Sequence, residues 1–206
     1  MWAQGQSLGY CLAILGLAFV TDNKRRGAAG PTMGYALLAL AVGCRPLYLS
    51  MLPLFLALDH RTSGRTVPRA AATGVLAMAP FGLALAWYNW SRFGDPAEFG
   101  HNYLPWAKKL STGIFDVAYL PRNLYHAFAR WPEWTGGSAP LSFDPWGTAF
   151  YINQGIMLFV LWGLAARRFD PVVKATAGFA MAVIAAGIFT YEAGGGGSSD
   201  IATSST

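Results

Sequence analysis

The sequence predicts an all-α fold: a polytopic transmembrane helix bundle with a short half-helix hairpin and one large external loop containing an amphipathic interfacial helix. Three observations carry this expectation. Hydrophobic residues make up 54% of the chain and charged residues only 12%, about half the charged content of soluble domains. Apolar runs such as A-A-T-G-V-L-A-M-A-P-F-G-L-A-L-A-W-Y and I-N-Q-G-I-M-L-F-V-L-W-G-L-A-A are about long enough to cross a ~30 Å hydrocarbon core. Basic residues cluster at the ends of those runs, as the positive-inside tendency requires. Membrane lipid is therefore the first partner expected, and nucleic acid is not: the net charge of +5 is dispersed over span ends and leaves no basic patch for DNA. Cys11 and Cys44 lie inside apolar runs, where a thiol behaves as a small hydrophobe and no disulfide is expected.

The chain reads as four parts: membrane helices over 1–87, an aromatic-rich external loop over 88–150, two further membrane helices over 151–192 and a Gly/Ser/Thr tail over 193–206. The first apolar run, 8–20, lacks a basic leader and a small-residue cleavage site, so it is not a signal peptide. It is short for a span, and either residues 2–7 extend it or the chain begins inside a longer protein.

The run 32–58 is interrupted by Arg45-Pro46. One continuous helix would hold an arginine near the bilayer centre, at about 2.5 to 3.5 kcal/mol on insertion scales. Two half-helices, 32–44 and 46–58, make a hairpin whose turn carries Arg45 into a polar cavity. Pro46 favours the hairpin, because proline suits a first helical position and the residue before it avoids the helical region. Charge agrees. The hairpin puts Lys24, Arg25, Arg26, Arg61, Arg65, Arg69, Arg167, Arg168 and Lys174 on one side, which becomes cytoplasmic. The remaining spans are 71–90, 150–166 and 172–191. The tail G-G-G-G-S-S-D-I-A-T-S-S-T has the composition of flexible coil.

The loop carries the chemistry-bearing side chains. Its opening, R-F-G-D-P-A-E-F-G-H-N-Y-L-P-W, is turn-rich. Asp95 and Glu98 either cap a turn and pair with Arg92 or form an acid/base pair. Further on, Y-L-P-R-N-L-Y-H-A-F-A-R-W-P predicts a helix near 121–131, opened by Pro121 and closed before Pro132. Leu120, Leu124, Phe128 and Trp131 share one face, while Arg122, His126 and Arg130 repeat every fourth residue on another. Such a helix lies in a membrane interface. Its basic stripe either touches headgroups and water or pairs the phosphate of a lipid-linked substrate. Six tryptophans, Trp87, Trp90, Trp106, Trp131, Trp134 and Trp146, fit an interfacial aromatic belt, with sugar stacking as the other use of such rings. No metal-ligand spacing, Gly-rich phosphate loop, Cys-His pair or nucleophile elbow occurs, so neither metal nor cofactor is expected.

Several of these features together, the helix pair broken by Arg-Pro, a span ending in W-Y-N, then R-F-G-D-P-A-E-F-G-H-N-Y and Y-L-P-R-N-L-Y, resemble bacterial GT-C glycosyltransferases, polytopic relatives of the protein O-mannosyltransferases. The likeness covers most of residues 5–192 in layout, and its specific part is confined to 92–103 and 119–125. The resemblance implies a bacterial inner-membrane enzyme that transfers a sugar from a polyprenyl-phosphate donor on the extracytoplasmic face to a glycan, lipid or protein acceptor. Displacement at the anomeric carbon would use a carboxylate to deprotonate the acceptor and cations to stabilise the departing lipid phosphate. For the second task the resemblance points to Arg122, His126 and Arg130, then Arg45. Arg92, Glu98 and Tyr103 are assigned to loop positioning or sugar contact. In the family the carboxylate lies in the first external loop, whereas this chain opens on a short helix corresponding to a later span. No catalytic residue is therefore assigned, and the chain is expected to be a fragment. A transporter or permease fragment, with Arg45 lining a path between broken helices, and a non-catalytic membrane fragment are the alternatives.

Overall fold

The computed structural model describes residues 2–22, 27–100, 103, 113–134, 141–142, 163 and 169–191. Outside them lie the expected span 150–166 apart from Gly163, the tail 193–206, Trp106, Trp146 and the charges of Lys24, Arg25, Arg26, Lys108, Lys109, Arg167 and Arg168. In chain order the described elements are α1 (Trp2–Thr21), α2 (Ala29–Cys44), a 3-10 helix (Pro46–Met51), α3 (Leu52–Ser63), α4 (Val67–Phe93), a short α5 (Leu120–Leu124) and α6 (Pro171–Phe189). Strands β1 (Glu133–Trp134) and β2 (Leu141–Ser142) form one antiparallel ribbon with Glu133 opposite Ser142. The chain divides into two compact units, Met1–Asn102 with Arg168–Ala185, and Tyr103–Arg167 with Ala186–Thr206.

In the first unit, α1 begins at Trp2 rather than at the apolar run, and its 20 residues reach about 30 Å. It packs on α2 through small residues. A Cβ on Gly34 would stand 2.8 Å from the Gly16 carbonyl oxygen, and one on Gly16 would stand 2.9 Å from that of Gly34. The two backbones touch there, the close approach that glycine permits between membrane helices. Ala13 and Ala41 are buried in the same seam.

Helix α2 ends at Cys44 because Pro46 forces Arg45 into extended backbone, φ −152° and ψ 119°. The chain resumes as a 3-10 helix rather than an α-helix. Pro53 lacks an N–H and its ring would clash with the carbonyl of Leu49 in a continuous α-helix, so the tighter form fills the gap until α3 starts at Leu52. The chain then folds back along α2, with the Tyr35 and Phe55 rings 6.0 Å apart. Val20, Tyr35, Leu38 and Phe55 make the closed core of the unit. Gly64, at φ 67°, ends α3 in the left-handed conformation, and its N–H returns to the His60 carbonyl.

Thr62 Oγ1 donates to the Val20 carbonyl at 3.1 Å, and Arg61 pairs with Asp170 at 3.1 Å. The C-terminal ends of α1 and α3 and the N-terminal end of α6 thus share one end of this unit, along with Arg65, Arg69 and Lys174. The outer surface is apolar. Leu76 is 75% and Leu83 71% exposed on α4, and only 11% of the most apolar 18-residue window of α4 is buried, against 6% for α6. Soluble monomers rarely leave whole helix faces of this kind bare. Among the described residues, α4 and α6 are long and apolar enough to cross a membrane.

The second unit is built around a turn and a tether. Asp116 Oδ1 accepts from the Ala118 N–H at 2.7 Å and opens a 3-10 turn, Val117–Tyr119, that runs into α5 at Leu120. From Tyr125 to Ala129 the helix widens to π form, with the Arg130 N–H reaching the Tyr125 carbonyl at 2.9 Å. Asn123, buried, donates through Nδ2 to the carbonyls of Phe189 at 2.7 Å and Tyr191 at 2.8 Å. It satisfies carbonyls that the end of α6 leaves without helical partners. Phe115 stacks edge-on against Tyr191, and Phe128 lies against Phe189.

Candidate functional site

Arg122, His126 and Arg130 all lie in the second unit, on the stretch that runs from α5 through the π turn. The helix expected near 121–131 is α-helical only to Leu124, and Arg130 sits past its end in extended backbone, φ −76° and ψ 117°. Widening to π adds a residue to the turn, so a strict every-fourth-residue stripe does not persist to Arg130. The exposure pattern also differs from that of a water-facing amphipathic helix. The three basic side chains are half-buried, whereas Tyr125, Phe128, Trp131 and Trp134 are exposed, Trp134 at 77%. Aromatic rings turned outward beside sheltered cations suit a membrane interface better than bulk water.

Within this stretch the Arg122 guanidinium lies 5.6 Å from the centre of the Tyr119 ring, a cation-π contact. The Tyr125 ring meets the His126 imidazole edge-on at 5.8 Å. His126 Nδ1 is buried and has no hydrogen-bond partner among the described residues. A buried polar nitrogen left unpaired costs about 1 to 3 kcal/mol, and such atoms in native structures point to a water, ion or ligand.

The other residues singled out from the sequence are placed elsewhere. Arg45, half-buried, stands at the junction of α2 and the 3-10 helix in the first unit, four residues after the buried Ala41. Arg92, also in the first unit, donates through Nη1 to the Tyr88 hydroxyl at 2.7 Å, and its guanidinium lies 5.2 Å from the Tyr88 ring centre and 5.0 Å from that of Phe93. Glu98 Oε1 accepts from the Gly100 N–H at 2.6 Å, and Asp95 Oδ1 accepts from the Ala97 N–H at 2.8 Å. Both carboxylates cap the loop's own amides, while the expected pairing of the two with Arg92 is not found among the ion pairs of the described residues. Tyr103 is exposed and belongs to the second unit.

One buried polar cluster has no counterpart in the sequence reading. Asp59 is fully buried near the C-terminal end of α3. Ser63 Oγ donates to it at 2.8 Å, the Tyr35 hydroxyl at 3.4 Å, and the Arg65 guanidinium lies 3.8 Å away while also reaching Thr73 Oγ1 at 3.3 Å. The signal was present in outline. An acid directly follows the apolar run, L-A-L-D-H-R, and its meeting with Tyr35 comes from the way α3 folds back on α2. The arrangement ties α2, α3 and the start of α4 together, so its chemistry is that of a lock.

No group of three or more His, Cys, Asp or Glu side chains among the described residues is arranged to hold a metal ion. The chain matches no protein-family model, no curated protein and no solved structure. Among the described residues the structure is mostly helical, with two helices long and apolar enough to span a membrane.

Proposed function

We propose that this chain is a multi-pass inner-membrane protein whose second unit binds the phosphate of a polyprenyl-phosphate sugar on the extracytoplasmic face, in the service of glycosyl transfer of the GT-C kind. The single observation that carries the reading is the buried Nδ1 of His126, without a partner among the described residues and held on the same short stretch as Arg122 and Arg130. The Arg122 guanidinium and an imidazole with a spare nitrogen match the oxygens of a phosphate, and Arg130, displaced from their face by the π turn, adds positive charge nearby. The exposed rings of Tyr125, Phe128, Trp131 and Trp134 would hold this stretch at headgroup level. Support for the orientation comes from Arg61, Arg65, Arg69 and Lys174, which share one end of the first unit and make it the cytoplasmic end.

The test is binding of a fluorescent polyprenyl-phosphate sugar to the purified protein in nanodiscs. Arg122→Glu should weaken binding at least tenfold, through loss of one charge-assisted pair and added repulsion, and His126→Phe should weaken it by a smaller factor. Unchanged affinity in both would refute the reading. The extended break at Arg45 favours a second reading, a permease in which broken helices frame a polar path. Substrate flux into proteoliposomes that Arg45→Ala abolishes, without any sugar transfer, would select it.

A further inference from the structure

The outward surface of the first unit carries an apolar groove of about 420 Å³ between α2, the 3-10 helix, α3 and α4. Val42, Leu49, Leu56, Gly74, Met78 and Leu85 are among the residues that line it. Along α4 the lining includes Ala71, Met78 and Leu85, which recur every seven residues and therefore share a face, drifting only about 20° per repeat. The next residue in that series is Arg92. It stands about 10 Å beyond Leu85 along the helix, where Trp87 and Trp90 are exposed at 68% and 60%.

Arg92 is presented rather than neutralised. Its guanidinium is oriented by the Tyr88 hydroxyl and ring. The nearby carboxylates of Asp95 and Glu98 are turned to the Ala97 and Gly100 amides, and the described residues supply Arg92 with no ion pair. The end of the groove nearer Arg92, at Gly82 and Leu85, lies about 10 to 15 Å from Arg92 along α4 at 1.5 Å per residue, within the ~15 Å depth of one leaflet of the hydrocarbon core.

We infer that this face binds one anionic glycerophospholipid, its acyl chain lying in the α2–α4 groove and its phosphodiester meeting Arg92. A phosphodiester carries one negative charge, which a single guanidinium matches, whereas a phosphate monoester approaches two. The arrangement follows from an apolar groove whose face of α4 leads, about 10 Å further on, to one oriented cation at the aromatic level. It rests on the first unit lying in a bilayer and is independent of sugar transfer.

Native mass spectrometry of the full chain released from detergent micelles, titrated with phosphatidylglycerol, tests this. One lipid should bind per chain with preference over phosphatidylcholine, whose choline offsets the phosphate charge. Arg92→Ala should weaken that binding about tenfold, the scale of one charge-assisted hydrogen-bonded pair. Gly82→Phe should weaken it similarly, because Gly82 lines the groove and a Cβ there meets no atom within 4 Å, so the backbone admits a side chain at this position that competes with the acyl chain. Arg69→Ala, which removes an exposed cation from the opposite end of α4, should leave binding unchanged. Wild-type affinity in Arg92→Ala and Gly82→Phe, an equal loss in Arg69→Ala, or tighter binding of a polyisoprenyl monophosphate than of phosphatidylglycerol would each overturn the proposal.

Discussion

Replacing Gly34 by alanine isolates the helix contact on which the first unit is built. The new methyl would sit 2.5 Å from Val20 Cγ2 and 2.8 Å from the Gly16 carbonyl oxygen. The valine can turn, but the carbonyl belongs to the α1 backbone, so α1 and α2 must move apart and loosen the packing of Val20, Leu38 and Tyr35. Overpacking of this kind costs about 1 to 3 kcal/mol. Gly43→Ala is the matched control on the same helix. A Cβ there meets nothing within 4 Å, so that variant receives only the helix-propensity gain, at most about 1 kcal/mol. The gain is common to both substitutions, and the difference between them is the clash. Unfolding in mixed micelles of dodecyl sulfate and mild detergent, followed by circular dichroism, should place Gly34→Ala about 1 to 3 kcal/mol below Gly43→Ala. Equal stability of the two variants would refute the claim that the α1 and α2 backbones touch at this position.

Two further outcomes follow from the same unit. Asp59→Ala removes the carboxylate shared by Tyr35, Ser63 and Arg65 and should destabilise by about 3 kcal/mol, the low end for a broken buried pair. Arg65 moderates the loss because its side chain keeps 21% exposure and the Thr73 hydroxyl. Tyr35→Phe should cost less than about 1 kcal/mol, since its 3.4 Å contact is long for a hydrogen bond between oxygens; a larger loss than that of Asp59→Ala in the same micelle unfolding assay would contradict this ranking. For orientation, single cysteines at Thr66 and Ala97, in a background with Cys11 and Cys44 replaced by alanine, should react differently with a membrane-impermeant maleimide on intact cells. Ala97→Cys should label and Thr66→Cys should not, and the reverse pattern would overturn the proposed sidedness.

The parts of the fold that sequence makes legible are those with local causes. Arg45 is extended because of its bonded neighbour Pro46, and α4 is bounded by Pro68 and by Gly94 at φ 74°, signals that act within one turn of the chain. The candidate site was less legible. The sequence places Arg122, His126 and Arg130 on one stretch, but the π turn that displaces Arg130 from their shared face arises where the stretch is held by Asn123 and Phe128 against the end of α6, more than 60 residues away. Arg92 opens the loop motif in the sequence, whereas in the structure it lies in the last turn of α4, and the groove on that helix forms only where α4 packs beside α2 and α3.

By itself the sequence determined that the chain is helical, apolar and interrupted at residue 45, because hydropathy, proline geometry and charge placement are properties of short segments. Only the tertiary structure decided which polar groups are enclosed and which apolar ones are left outside. Asp59 is buried because Tyr35 and Arg65 close over it, while Leu76 and Leu83 stay bare. The physical reason is that burial belongs to pairs of elements: a side chain's own hydrophobicity sets what enclosure is worth, and the helix that arrives opposite determines whether enclosure occurs.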